Sequence, residues 1–389
     1  MPQWIKDTRV SAIVAGWIVV LVGFTSSVAL IFQAAITAGA DQTQVASWIS
    51  ALSFATGLST LALSWWYKMP IITAWSTPGA ALLITALAPF TLAEATGAFI
   101  FSAILILLSG LTGIFARFMD LIPQSISAAM LGGILLTFGL DVFRMPLELG
   151  GLPLVLFAVW LIARRIIPKY TILLVMIVGL VWVWWQQGLP LEEVNMQISA
   201  PVWVMPSFSL QAMISVALPL FIVTMTSQNL PGVTVMRAAG YPPPTSAAMS
   251  VTGGLNLLFA PFGAFAVNLA AITAALAMSD DAHPDKHKRY TAGMWSGIFY
   301  LLVALFGATV TALFSAFPQV FIAVLAGLAL VPTIAASFWS ASKDGEYREA
   351  AVVTFLVTAS GMSLWGIGSA FWGIVFGLLV MLITKKSAH

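Results

Sequence analysis

Apolar runs follow one another along nearly the whole chain, separated by breaks of only a few polar, glycine or proline residues. At 60% hydrophobic and 8% charged over 389 residues, such a chain is a polytopic membrane protein, because a soluble domain carries roughly a quarter charged residues. The net charge of +2 is too small to suggest nucleic acid binding. No cysteine is present, which excludes disulfides, thiol catalysis and cysteine metal sites. His283, His287 and His389 lie in a charged loop or at the C-terminus. The i, i+4 spacing of the first two fits a solvated loop better than a metal site. Lys6 and Arg9 precede an apolar run over 10–38. A signal peptide's apolar region is about 7–15 residues long, so this run reads as a retained first span.

Fourteen candidate spans result. The first seven fall near 11–37, 45–66, 70–88, 94–116, 122–141, 150–166 and 169–187. The second seven fall near 209–229, 245–258, 261–278, 291–315, 317–340, 348–361 and 366–384. Several are shorter than the roughly 20 residues of a straight crossing, which marks them as tilted or broken. With a cytoplasmic N-terminus, the loops on that side collect fifteen of the sixteen basic residues, all but Arg144. Adding or dropping one span scrambles this partition. The positive-inside rule therefore favours fourteen spans, with both termini inside and the stretch 187–202 outside.

The stretch "IPQSISAAMLGGIL" (122–135) matches "FPQVFIAVLAGLAL" (317–330) at Pro123 and Pro318, Gln124 and Gln319, Ala128 and Ala323, Gly132 and Gly327, and Leu135 and Leu330, an offset of 195. A second echo joins "LITA" (83–86) to "AITA" (271–274) at an offset of 188. Seven spans per half force the second half to enter the membrane upside down. This is the inverted-repeat plan of secondary transporters, whose substrate site lies near the midplane on discontinuous helices. The expected organisation is one repeat over 1–190 and another over 200–389. A core of 11–118 with 209–315 would face a gate of 121–187 with 317–385.

Spans three and ten carry the signature of discontinuity. In "PIITAWSTPGAALLITALAP" (70–89), Thr77 is a good N-cap and Pro78 suits the first helical position. The residues before them, 71–76, are β-branched and aromatic and read as extended chain. At about 3.3 Å per extended residue, five or six residues reach the midplane. Ten helical residues at about 1.5 Å each cover the rest. In "APFGAFAVNLAAIT" (260–273), the stretch 261–267 would be extended, Asn268 would cap, and 269–278 would form the second half-helix. Two helix N-termini then face one midplane point and form an anion site without a buried cation. The plainer reading keeps Thr77, Pro78 and Asn268 as a kink and interhelical hydrogen bonds.

Other polar residues sit nearby. Gln228 and Asn229 precede Pro231–Gly232, which reads as a stop or kink of span eight. Span one offers Thr25, Ser26, Ser27 and Gln33. Trp75, Phe262 and Phe265 suit either a planar ligand or the core. The candidate substrate-binding set is Ser76, Thr77, Gly79, Gln228, Asn229, Gly263, Phe265, Asn268, Thr25 and Gln33; no metal ligand or cofactor is expected. No ionisable residue lies deep in any span. Asp141, Glu94 and Asp120 are at boundaries. A cationic substrate would want a buried carboxylate, so a substrate bearing its own negative charge fits better. No nucleophile–base pair appears, so an enzyme is not expected.

At "WSTPGAALL" (75–83), "SQNLPGV" (227–233) and "PFGAFAVNLAAIT" (261–273) the chain resembles the benzoate/proton symporter family over its whole length. The resemblance implies a bacterial inner-membrane carrier that takes up benzoate, or a related aromatic carboxylate, with protons. More distantly the layout is similar to uracil and purine permeases and sulfate-permease-type transporters. Those proteins have a short strand in spans three and ten, and a core of spans one to four and eight to eleven that moves against a gate. Nucleobase permeases carry carboxylates in spans eight and ten, where this chain has Gln228, Asn229 and Asn268. The expected class is an all-α polytopic membrane protein of about fourteen spans. Its partners are the carboxylate, protons and the lipid bilayer, with a homodimer as one assembly state. A nucleobase or inorganic-anion carrier, or an anion channel, is the alternative.

Overall fold

The computed structural model describes residues 2–25, 27–113, 123–144, 148–188, 196–270, 272–343, 345–365 and 367–384. Ser26, Arg117, Asp120, Lys385, Lys386 and His389 lie outside the described residues. Each span read from the sequence meets a helix or a helix with a strand at its place. Seven described helices are long and apolar enough to cross a membrane, and a pair bent by 63° at Phe306 makes an eighth. Shorter apolar helices such as Thr171–Gln187 and Ser369–Thr384 complete an all-α polytopic fold of two inverted repeats.

Local sequence explains the helix starts. Span two begins at Asp41, whose carboxylate accepts from the Gln44 N–H at 2.9 Å while the Gln44 side chain accepts from the Asp41 N–H. Span four begins the same way at Thr91 and Glu94. Both are reciprocal capping boxes that satisfy orphan N–H groups. Glu94, one of the boundary acids, is thereby engaged at a helix end.

The packing carries the internal symmetry. Span two (Gln42–Tyr67) lies against span eleven (Tyr290–Leu305), and its repeat-related pair, span nine (Thr245–Phe259) against span four (Leu92–Thr112), does likewise. Span five (Gln124–Arg144) packs on its own mate, span twelve (Gln319–Lys343). The first pair meets at Gly57 and Gly297. A Cβ on Gly57 would stand 2.8 Å from the Gly297 carbonyl, so the backbones touch where small residues allow it.

Span eight departs from expectation. It runs through Leu210–Arg237 and passes Pro231–Gly232 without stopping. Pro219 and Pro231 each follow a π-helical turn, Met213–Ala217 and Met225–Asn229. Proline lacks an N–H and clashes with the carbonyl four residues back; the widened turn relieves that conflict. Span one is broken between Val10–Thr25 and Val28–Thr37.

Several basic loops share one face. The Tyr290 phenol donates to Asp7 at 2.8 Å, and Lys288 lies 3.8 Å from the same carboxylate. The phenol's donation and the nearby ammonium groups hold the Asp7 carboxyl below the usual range. Lys68 stands over the Tyr290 ring, and Tyr241 donates to the Lys286 carbonyl at 2.9 Å. The N-terminal segment and the loops after spans two, eight and ten therefore meet on one side. Arg289, buried in the same loop, donates to the Met278 carbonyl at 2.6 Å and so closes the end of the second half-helix.

Candidate functional site

Spans three and ten each begin as a strand and continue as a helix. β1 (Thr73–Trp75) and β2 (Val267–Leu269) pair antiparallel, with Thr73 opposite Leu269, Ala74 opposite Asn268 and Trp75 opposite Val267. Two flanking bonds extend the ladder: Ser76 N–H to the Ala266 carbonyl and Ala270 N–H to the Ile72 carbonyl, both 2.9 Å. A two-stranded sheet at bilayer depth leaves its outer edges without lipid partners. Side chains of neighbouring helices satisfy them. On the β2 edge, Asn256 of span nine accepts from the Val267 N–H at 2.7 Å and donates to its carbonyl at 3.0 Å. Asn229 accepts from the Leu269 N–H at 3.0 Å. On the β1 edge, the Thr60 hydroxyl accepts from the Thr73 N–H at 3.0 Å, and Ser64 donates to the Ile71 carbonyl at 3.0 Å.

Asn268 is a strand residue and not a helix cap. The extended stretch before it does not begin at Pro261 either: a 3₁₀ turn, Ala260–Phe262, comes first. Gly263 then turns the chain at φ 101°, with its Cα side pressed against the Trp48 ring; only glycine suits both demands. The second half-helix is the shorter Ile272–Met278. The Asn268 amide reaches across the sheet when its oxygen accepts from the Ser76 N–H, at 3.1 Å, while its nitrogen donates to the Leu269 carbonyl of its own strand, at 3.0 Å. The register explains the difference: Asn268 is needed where the two repeats join.

In span three the cap is Ser76, one residue before the expected Thr77. Its hydroxyl accepts from the Gly79 N–H at 3.0 Å, and Thr77–Ala86 is helical with Pro78 in the first turn. Both Ser76 and Thr77 are good caps by type; the β1 ladder, running through the Ser76 N–H, decides between them. The other backbone donors of this first turn are committed or absent. Pro78 has none, Gly79 is capped by Ser76, and Ala80 bonds to the Ser76 carbonyl at 2.8 Å. The Thr77 N–H has no partner among the described residues. It stands at the positive end of a ten-residue helix. Thr224 of span eight approaches through its hydroxyl, 3.4 Å from the Ser76 Oγ.

The expected residues thus separate. Ser76, Thr77, Gly79, Asn229 and Asn268 come together around β1 and β2, with Asn229 and Asn268 engaged by backbone. Phe265 is fully buried against Trp48 and Phe99. Trp75 is sandwiched by Phe24 and Tyr300 and donates to Ser27 at the span-one break, at 2.6 Å. Phe262 packs on Trp203 and Phe259. Thr25 turns its hydroxyl to the Leu21 carbonyl in its own helix. Gln228 is half-buried on the π-turn, and Gln33 lines a separate cleft with Gln319. Asn256, Thr224 and Thr60 were not expected. Asn256 is a lone amide in the apolar run 245–258 and Thr224 opens the polar cluster 224–233 at the end of span eight, whereas Thr60 has no signal beyond its type.

Among the described residues, the only buried members of the charged and histidine types are His283 and Arg289, both in the loop after span ten. No group of residues fit to hold a metal occurs among them.

Comparison with known proteins agrees with this architecture. The chain folds like SLC26A9, with a TM-score of 0.65 at 15% identity over 98% of this chain and 67% of that one. It also folds like the transmembrane domain of the cyanobacterial bicarbonate transporter BicA, with a TM-score of 0.60 at 15% identity over 96% of both. In sequence it is 50% identical to the inner membrane protein YdcO of Escherichia coli (strain K12) over 368 residues, 94% of this chain and 93% of that one. It is 38% identical to the benzoate membrane transport protein of Acinetobacter baylyi over 384 residues, 98% and 97% of the two chains. A family model described as benzoate membrane transport protein matches residues 6–383, and the chain belongs to that family of membrane transport proteins.

Proposed function

We propose that this chain is a secondary carrier that takes up benzoate, or a close aromatic carboxylate, with protons across the bacterial inner membrane. The carboxylate lies at the N-terminus of Thr77–Ala86, facing Ile272–Met278, and accepts from the Thr77 N–H. The observation that carries this reading is the first-turn accounting. One uncommitted N–H at a positive helix end, with no cation to trap the ligand, suits reversible binding of a monoanion. The relative named for benzoate transport supports the substrate.

Spans one to four and eight to eleven act as the core and the remaining spans as the gate. Both termini lie in the cytoplasm. The shared face of Asp7, Lys68, Tyr241 and Tyr290 supports the orientation. A single cysteine placed at Asp285 is expected to react with an impermeant thiol reagent only from the cytoplasmic side. Reaction in intact cells from outside would contradict the topology.

The substrate binds as the carboxylate, and the coupled proton joins that bound carboxylate and not a boundary acid of the chain. Glu94 is engaged by the Thr91 N–H at 2.9 Å, and Asp141 by Arg144 at 3.0 Å on the exposed end of span five. The expected result in proteoliposomes is benzoate accumulation driven by an imposed pH gradient, retained within about twofold in Glu94→Gln and Asp141→Asn. Loss of gradient-driven uptake with intact counterflow in either variant would assign the proton to that acid.

A further inference from the structure

The repeated Pro-Gln pairs mark two clefts related by the internal symmetry. Gln124 and Ala128 line a cleft of about 180 Å³ between spans five, eight and twelve, which also holds Ser227 and Pro231. Gln319 and Ala323, both offset by 195, line a cleft of about 360 Å³ between spans twelve, one and three, which also holds Phe32 and Ile36. Phe32 and Ile36 precede Ser227 and Pro231 by the same 195 residues. These four positions of one cleft thus correspond to four of the other, with the two repeats exchanged.

The clefts open on opposite faces. The first is reached at the ends of spans eight and twelve that lead to Arg237 and Lys343, on the side of the basic loops. The second lies toward Thr37 and Asp41, where no basic residue stands. Both glutamines are exposed at the first turn of their helices. Gln124 adds amide donors to a wall that is otherwise apolar or hydroxyl-bearing, and Gln319 adds them beside the amide of Gln33 on a wall that is otherwise apolar but for Thr37. Ser127 and Thr226 also line the first cleft, and Gln33 and Ile84 the second.

We propose that Gln124 and Gln319 are paired entry contacts of the carrier. Gln319 meets the incoming carboxylate on the outer face, and Gln124 meets it on the cytoplasmic face. The chemistry is that of a carboxamide donating N–H to a carboxylate whose ring rests on the apolar wall. A monoanion with a planar apolar body is the ligand class. A neutral amide attracts it without holding it. This assignment rests on the proposed carboxylate transport.

Sided kinetics test it. Zero-trans benzoate uptake is measured in right-side-out and in inside-out vesicles for wild type, Gln319→Leu and Gln124→Leu. Gln319→Leu is expected to raise the half-saturation concentration about fivefold in right-side-out vesicles and less than about twofold in inside-out ones. Gln124→Leu is expected to do the reverse. Unchanged maximal rates in the unaffected orientation show that each variant is folded. Equal shifts in both orientations, or none in either, with wild-type uptake intact, would overturn the entry contacts and leave the substrate standing. Failure of the wild type to move any aromatic carboxylate would remove the substrate and this assignment together.

Discussion

Asn256→Leu is expected to yield a carrier that reaches the membrane poorly and loses heat resistance in detergent. Leucine is nearly isosteric and at home in lipid, so no loss of packing is involved. The damage lies in the backbone. Asn256 satisfies both the N–H and the C=O of Val267, on the β2 edge that has no neighbouring strand. Each buried backbone group left unpaired costs about 1–3 kcal/mol, so the two together cost about 2–6 kcal/mol. Asn229→Leu removes one such bond, to the Leu269 N–H, and is expected to lose about half as much. Thermal unfolding of the three proteins, followed at one scan rate, checks the order: wild type above Asn229→Leu above Asn256→Leu. An Asn256→Leu protein as resistant as wild type would mean that β2 does not depend on this side chain.

The two asparagines also show what was legible in the sequence. Span number, the face of the basic loops and the break in spans three and ten all follow from patterns within a few residues: apolar runs, charge partition, Pro beside a capping side chain. The spans and the breaks in spans three and ten appear in the structure, and the N-terminal segment and the basic loops after spans two, eight and ten share one face. The roles of Asn268 and Thr77 differ from local expectation because the competing force is long-range. Pairing between β1 and β2 joins residues almost 200 positions apart, and it turns Asn268 from a cap into a strand residue and moves the cap to Ser76. The half-helix of span ten is shorter than its apolar run for the same reason. Span eight continued past Pro231 because a π-turn absorbs the proline, and no local signal separates that outcome from a stop. Phe265 and Gly263 carry residue types that fit a ligand pocket equally well. Only the position of Trp48, some 215 residues earlier in the chain, commits them to packing.

Ser76 is the residue at which the account can be tested with the least disturbance. Aspartate caps helices as well as serine does, so Ser76→Asp keeps the Gly79 bond and the start of the half-helix. It also sets a negative charge beside the Thr77 N–H, where the substrate carboxylate is proposed to sit. Two like charges about 5 Å apart at an effective dielectric of about 20 repel by about 3 kcal/mol, and water and partial protonation reduce that. Ser76→Thr keeps the capping oxygen without the charge and is expected to bind nearly as wild type. The measurement is benzoate affinity of the wild type, Ser76→Thr and Ser76→Asp proteins at neutral pH, by calorimetry in detergent. The expected result is at least a tenfold weaker affinity for Ser76→Asp alone, about 1.4 kcal/mol. Equal affinities for Ser76→Asp and Ser76→Thr would place the carboxylate away from this helix end and contradict the account.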